Sequence, residues 1–377
     1  MSATIPPADF VRALRDHDVD LFAGVPDSLL TDLVAGIEAS APAGTHIITA
    51  NEGNAVALAA GYHIATGKHA AVYLQNSGLG NTVNPLLSLA DPAVYGIPLL
   101  MIIGWRGEPG VADEPQHVTQ GRLTIPLLAT LEIEHVVLDA EGWEHQVEWA
   151  TETLRTENRP IALVVRKGLF GTFPAPPHPS ALTLSREAAL EVILDEIDPA
   201  DFVVATTGKT SREVFEIRER RGQGHAHDLL TVGGMGHVSS LAMGMAFGTE
   251  RRVYTIDGDG AFLMHLGAIA TTAQKAPQNF RYLLINNGAH ESVGGQPTVA
   301  FDIDVSGILI AAGFGSVETV REPEDLAAAV RRLAQTPRHA LVVDVAQGSR
   351  PELGRPTVSP QQNKLDMMRE FHPGGGR

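Results

Sequence analysis

Residues 254–271 read YTIDGDGAFLMHLGAIAT, placing two acids and two glycines directly behind a strand-like run, Tyr254 to Ile256. From Ala261 onward, Leu263, Leu266, Ile269 and Ala270 are spaced for one apolar helical face. Asp257, Gly258, Asp259 and Gly260 are therefore expected to fill the turn between strand and helix. In an open α/β sheet that turn is where ligands bind, and the free N–H groups of the helix suit phosphate. The aspartates would repel a bare phosphate, and a divalent cation between acid and phosphate resolves the conflict. The next strand, RYLLINN, ends at Asn286 and Asn287. If the two strands are neighbours, Asp259, an asparagine amide and a nearby backbone carbonyl supply three hard oxygen ligands. A magnesium ion completes its six from a diphosphate and water. The candidate metal ligands are Asp259, Asn287 and the carbonyl of Ala289, with Asp257 assigned to orienting the turn.

GDG followed by NN about thirty residues on resembles the thiamine diphosphate motif. A thiamine enzyme makes a second demand. A carboxylate in a dry site must bond the aminopyrimidine of the cofactor and drive its loss of a proton. Glu52, in THIITANEGNAVALAAGYHIATGK, follows a strand and opens an Ala-rich helix. In TVGGMGHVSSLAMGMAFG, glycines 233, 234 and 236 leave bare backbone for close approach to a flat ligand, and Met235 can wedge between two cofactor rings. Gly234, Met235, Gly236, His237, Gly258 and Gly260 thus join Glu52, Asp259, Asn287 and Ala289 as candidate cofactor-binding residues. Singly, Glu52 can serve only the helix dipole and Met235 only the core. Their conjunction with GDG and NN singles them out.

The elements that must position these residues alternate along the chain. LFAGV (21–25), THIITA (45–50), AAVYLQ (70–75), PLLMIIGW (98–105), HVVLD (135–139) and IALVVRK (161–167) read as strands. They lack polar alternation, as strands buried on both faces do. GNAVALAAGYHIAT and WEHQVEWATETLR read as helices between them. FGTFPAPPHPSALTLS (170–185), with four prolines, is the linker candidate. Beyond it DFVVATTG, DLLTV, VYTID, YLLINN, SVETV and ALVVDVA are strands, interleaved with helices such as AFLMHLGAIATTAQ. The tail from Ser349 has no clear period, and HPGGGR at its end is expected to be disordered. The fold class is α/β: two parallel-sheet domains, 1–170 and 185–377, joined by a linker at 171–184.

Composition narrows the class. A formal net charge of −16 argues against nucleic acid and anionic membrane as partners. Absence of cysteine removes disulfides, thiolate catalysis and Cys-ligated zinc, and fits a cytoplasmic protein. MSATIPPADFVRALRDHDVD lacks the apolar core of a signal peptide, and PLLMIIGW is too short to span a bilayer.

Seven longer stretches extend the likeness over nearly the whole chain. They are GVPDSLL (24–30), ANEGNAVALAAGYHIATGK (50–68), QNSGLGNTVNPLLSLADP (75–92), GWRGEPGVADEPQHVTQGR (104–122), TTGKTSREVFE (206–216), TVGGMGHVSSLAMGMA (231–246) and INNGAHESVGGQPT (285–298). With them the chain resembles the phosphonopyruvate decarboxylase branch of the thiamine-diphosphate-dependent 2-oxoacid decarboxylases. GGMGHVSS and GAHES depart slightly from that pattern without removing a side chain assigned to chemistry. The resemblance implies a pyrimidine-binding domain first, a diphosphate-binding domain second, and no central domain. It implies thiamine diphosphate and Mg2+ as cofactors, and 3-phosphonopyruvate as a small-molecule substrate losing CO2 to give phosphonoacetaldehyde. It also implies a homo-oligomer whose cofactor lies between subunits. Asp27 matches an acid used by larger decarboxylases for proton transfer, and His117 is the second proton-handling candidate. Arg106 and Ser28, with Lys209 and Ser211, are the candidates for the anionic end of the substrate. Residues 108–120, rich in Gly and Pro, are expected to form a lid. Sulfopyruvate is the alternative substrate. A dinucleotide-dependent oxidoreductase is disfavoured because GLGNTVNP lacks the third glycine of that fingerprint. A non-catalytic regulatory homologue is disfavoured by intact Glu52, Asp259 and Asn287.

Overall fold

The computed structural model describes residues 3–174 and 180–372 and divides into two compact units, Met1–His178 and Pro179–Arg377. In the first, β1 (Val19–Gly24), β2 (His46–Ile48), β3 (His69–Gln75), β4 (Leu100–Gly104), β5 (Glu134–Val137) and β6 (Ile161–Val165) form one parallel sheet in the order β2-β1-β3-β4-β6-β5. In the second, β7 (Phe202–Ala205), β8 (Asp228–Leu230), β9 (Val253–Gly258), β10 (Phe280–Asn286), β11 (Ser316–Val320) and β12 (His339–Asp344) form another, in the order β11-β12-β10-β9-β7-β8. Read from the other edge, the second order repeats the first strand for strand. The two units are therefore topological copies with no evident sequence repeat.

The apolar strands are explained by helices on both faces. Along β3, Ala71 and Tyr73 pack with Phe10, Leu33 and Trp143 on one face. Ala70, Val72 and Leu74 pack with Ala55, Val56 and Ala59 of the helix Glu52–Thr66 on the other. Each fully buried Leu, Ile or Phe in such a layer contributes about 1.5–3 kcal/mol. The helix Glu52–Thr66 starts where the Asn51 side chain accepts from the Gly53 N–H and ends at Gly67, which is left-handed with φ 71°.

Four expectations change. Asp257 and Gly258 belong to β9, while Asp259 and Gly260 open a helix, so strand runs into helix without a four-residue turn. The helix behind them is two, Asp259–Met264 and Leu266–Lys275, broken at His265 with φ −130° and ψ 48°. The expected lid ends early, because Pro115, tolerated at a first helical position, starts a helix that runs to Thr130. The tail holds the helix Pro360–Phe371, capped by Ser359. That helix docks through Met367 and Phe371, the latter stacked on Phe202, and through polar bonds that periodicity cannot reveal: Asn363 accepts from the Leu230 N–H and donates to the Asp228 carbonyl. Residues 175–179 of the linker, and HPGGGR beyond His372, lie outside the described residues.

Candidate active site

In the first unit, the loops after β1, β3 and β4 bring Asp27, Ser28, Asn76 and Arg106 together, at the carboxyl ends of the strands. Asp27 is fully buried and crosses the end of β4. Gly104 permits this, since a Cβ there would stand 1.9 Å from Asp27 Oδ2. Oδ2 accepts from the Leu29 N–H at 3.2 Å, and Oδ1 has no partner among the described residues. Burial pushes the carboxyl up to about 6, against the pull of Arg106 and the N–H groups of Leu29 and Ser28.

Arg106 is tied on two sides. Its Nη1 donates to Ser28 Oγ at 2.7 Å, and its Nε and Nη2 donate to the two oxygens of Asp113 at 2.8 and 2.5 Å. Asn76 holds its backbone reciprocally, accepting from the Arg106 N–H at 3.2 Å and donating to the carbonyl at 2.8 Å. His117 Nδ1 lies 2.9 Å from Asp113 Oδ1. Burial lowers the pKa of His117, with Asp113 pulling upward and Arg106 downward. Asp113 was not singled out from the sequence, although it stands four residues before His117 in the Gly- and Pro-rich segment. Its importance lies in partners that only the fold supplies.

Asp27 yields a prediction on stability. Its carboxyl lies at about 6 when folded against an ordinary 3.8. Below 3.8 both folded and unfolded chains hold the proton, and between 3.8 and 6 only the folded chain does. Stability is therefore lost as pH rises through that window, by up to about 3 kcal/mol. Asp27→Asn is expected to gain about 2 kcal/mol in urea denaturation at pH 7.5, and nothing at pH 4. A neutral or destabilising result at pH 7.5 would contradict a buried charge that Arg106 and the backbone N–H groups only partly offset.

Glu52, 5% exposed, sits elsewhere in the same unit. Its Oε2 accepts from Asn81 Nδ2 at 2.7 Å. Gly78 allows the carboxyl its place, because a Cβ there would lie 2.2 Å from Oε1. Burial raises its pKa, only partly offset by Asn81. Such a carboxyl is a strong proton acceptor in a dry setting.

In the second unit, β9 pairs with β10 so that Gly258 faces Ile285, which brings Asp259 beside Asn287. Asp259 is buried and accepts from Thr298 Oγ1 at 2.5 Å and from backbone N–H groups that include Asn287. Burial raises it to about 6, with no basic side chain among its principal influences. Asn287 accepts from the Ala289 N–H at 3.1 Å and donates to Glu291 Oε2 at 2.7 Å. The neighbouring Asn286 turns to Asp344 instead, and Asp257 accepts from Tyr282 Oη and the Gly258 N–H. Ala289 is fixed by a short antiparallel bridge to Pro297. Among the described residues no group of three His, Cys, Asp or Glu is placed to hold a metal. The donor set here is instead one acid with amide and carbonyl oxygens, which fits a hard cation such as Mg2+. A cation beside Asp259 would supply the positive charge that this buried carboxylate lacks. The residues present thus fit a metal-bound diphosphate.

Met235 reaches this group: a Cβ at Gly260 would meet its Cε at 3.1 Å and the His290 ring at 3.0 Å. Gly234 and Gly236, with φ of 68° and 84°, shape the loop that presents it. His237 is exposed and stacks on His265 at 4.4 Å. Lys209 and Ser211 are placed differently from the expectation. The Lys209 ammonium pairs with Glu291 at 3.0 Å, and Glu291 also pairs with Arg186. The Ser211 hydroxyl donates to the carbonyls of Thr206 and Ala205. Both side chains are engaged inside the second unit, so neither offers a free anion site. Asn81, Thr298 and Glu291 are the supporting residues that the sequence reading passed over.

The comparisons with known proteins agree with this division. Residues 8–127 match the family model "thiamine pyrophosphate enzyme, N-terminal TPP binding domain", and residues 206–345 match its C-terminal counterpart. A phosphonopyruvate decarboxylase of Streptomyces hygroscopicus is 36% identical over 95% of this chain and 92% of its own. One from Streptomyces viridochromogenes is 36% identical over 95% and 93%. A sulfopyruvate decarboxylase of Methanosarcina acetivorans is 27% identical over 87% of each chain. With a likeness of this extent, running end to end through both cofactor-binding units, the chain belongs to the phosphonopyruvate decarboxylase family of thiamine pyrophosphate enzymes.

Proposed function

We propose that this protein decarboxylates 3-phosphonopyruvate to phosphonoacetaldehyde and CO2, using thiamine diphosphate and Mg2+. The observation that carries the reading is the cluster in the first unit, where Arg106, bonded to Ser28, stands with Asp27 and His117. It joins an anion-binding group to two groups able to handle protons near neutral pH. Thiamine diphosphate, when bound, supplies the carbon nucleophile and the sink for the electron pair released with CO2. Asp259, Asn287 and the Ala289 carbonyl would hold the metal, and the loop around Met235 would hold the cofactor. Glu52 would hydrogen-bond the ring nitrogen of the aminopyrimidine and so favour the tautomer from which the cofactor loses its proton. Arg106 and Ser28 bind the phosphonate oxygens. Asp27, with a carboxyl near 6, is protonated often enough to deliver a proton to the substrate carbon after CO2 leaves. His117 shares that proton transfer.

The reading includes a homo-oligomer in the cytoplasm and a place in phosphonate biosynthesis, antibiotics among its products. Sulfopyruvate is the second reading. Asp113 offsets much of the charge on Arg106, which suits a monoanionic sulfonate nearly as well as a phosphonate. Phosphorus NMR of the purified protein with thiamine diphosphate, Mg2+ and 3-phosphonopyruvate tests the proposal, beside parallel sulfopyruvate and pyruvate assays. A phosphonoacetaldehyde signal is expected. Turnover of sulfopyruvate alone would move the substrate, and turnover of none would sink the decarboxylase reading.

A further inference from the structure

We propose that Asp113 is the positioning residue of the first unit's charged cluster: it fixes His117 as the Nδ1–H tautomer and holds Arg106 by one edge, so that His117 Nε2 and the terminal N–H groups of Arg106 are presented to substrate. This deepens the reading above and rests on it for the word substrate.

Asp113 accepts five hydrogen bonds, three on Oδ1 from Arg106 Nη2, the Glu114 N–H and His117 Nδ1, and two on Oδ2 from Arg106 Nε and the Gly107 N–H. A carboxylate offers about four lone-pair sites. Asp113 is thus fully subscribed and has no capacity left for substrate or for a proton in transit. Burial alone would raise its pKa, but the bonds from Arg106, His117 and the two backbone groups outweigh burial and hold it far below the usual range. It is a fixed anion and not an acid–base group.

Two consequences follow from hydrogen-bond chemistry. An ionised carboxylate only accepts, so His117 Nδ1 must donate, and in the neutral ring Nε2 carries the lone pair. Of the five guanidinium N–H groups of Arg106, two go to Asp113 and one to Ser28. The remaining two belong one to each terminal nitrogen, the pair that grips a tetrahedral oxyanion. Asp113 also ties this pair to its setting, since Gly107 and Glu114 flank the loop that it closes. The charged groups acting on His117 are Asp113, Arg106 and Glu114, and Asp27 acts in turn on Arg106.

Nitrogen-15 NMR of histidine-labelled, full-length protein tests this without turnover, with His117 assigned from a His117→Gln spectrum. In the wild type at pH 8, His117 is expected as Nδ1–H, and finding the Nε2–H tautomer would overturn the proposal without any Asp113 variant. In Asp113→Asn the His117 midpoint is expected to fall by about one pH unit, since the partner that favours the charged ring is lost. A shift under 0.2 unit would overturn the proposal. Methylphosphonate binding, followed by titration, separates positioning from simple electrostatics. Removing a negative charge beside Arg106 would tighten an anion if Asp113 were a bystander. The proposal expects binding weakened about tenfold, and tighter binding would refute it. Because these readouts need no catalysis, a wild-type protein inert toward 3-phosphonopyruvate would sink the decarboxylase reading while the role of Asp113 is still decided by the spectra.

Discussion

Replacing Glu52 with glutamine is expected to lower kcat by roughly a thousandfold or more, while thiamine diphosphate and Mg2+ bind within about threefold of normal. The substitution keeps shape and one acceptor oxygen, so Asn81 retains its partner. What disappears is the ability to share a proton with the aminopyrimidine ring nitrogen. In this protein that ability is tuned by surroundings: Glu52 is buried at the first turn of its helix, and Gly78 packs so closely that no side chain fits between. Burial raises the proton affinity of Glu52, while Asn81 keeps the carboxyl in one orientation. Steady-state kinetics on the reconstituted enzyme, with calorimetric titration of the cofactor, checks both halves. A loss of less than tenfold would mean that the carboxylate of Glu52 serves only the helix N-terminus. A large loss accompanied by lost cofactor affinity would assign it to binding and not to activation.

How much of this was legible beforehand depends on the kind of contact. Strands buried on both faces, such as β3, β4, β6 and β10, stand out as apolar runs, while the partly exposed edge strands β2, β5 and β11 were legible from short apolar stretches; the strand ends marked Asp27, Arg106, Asp259 and Asn287. Glu52 was legible only in conjunction with the GDG and NN stretches, because a carboxylate opening a helix can by itself be serving the helix dipole. The supporting groups were not. Asn81 reaches Glu52 across 29 residues and Thr298 reaches Asp259 across 39, and neither pairing leaves a local pattern. Lys209 shows the converse. A cation at a helix start after a strand looks like an anion site until the fold brings Glu291 from 82 residues away to neutralise it. The shared strand order of the two units is equally silent in the sequence, because topology survives changes that erase identity. The break at His265 in the expected single helix is marked in the sequence only by Gly267 two residues on, which a helix interior also tolerates.

Asp259→Asn is expected to abolish metal-dependent cofactor binding while leaving the apo protein at least as stable as the wild type. The two signs follow from one fact. Asp259 is 3% exposed, and burial raises its carboxyl to about 6 without a basic partner among its main influences. In the apo chain its charge is a burden, so an isosteric amide that still accepts from Thr298 relieves it. In the proposed holo protein that same charge would face the cation, and an amide in its place would offer only a neutral oxygen. Bound ligand at a hundred times its Kd stabilises by about 2.7 kcal/mol. The wild type should therefore melt several degrees higher with thiamine diphosphate and Mg2+, and Asp259→Asn should show no such rise. Mn2+ affinity, read by its paramagnetic resonance, should fall at least a hundredfold. A variant that melts early without ligand would point to a structural role for the carboxylate. A variant that keeps both its apo stability and its ligand-induced rise would remove Asp259 from the metal site, and with it the reason for two acids to stand behind this strand.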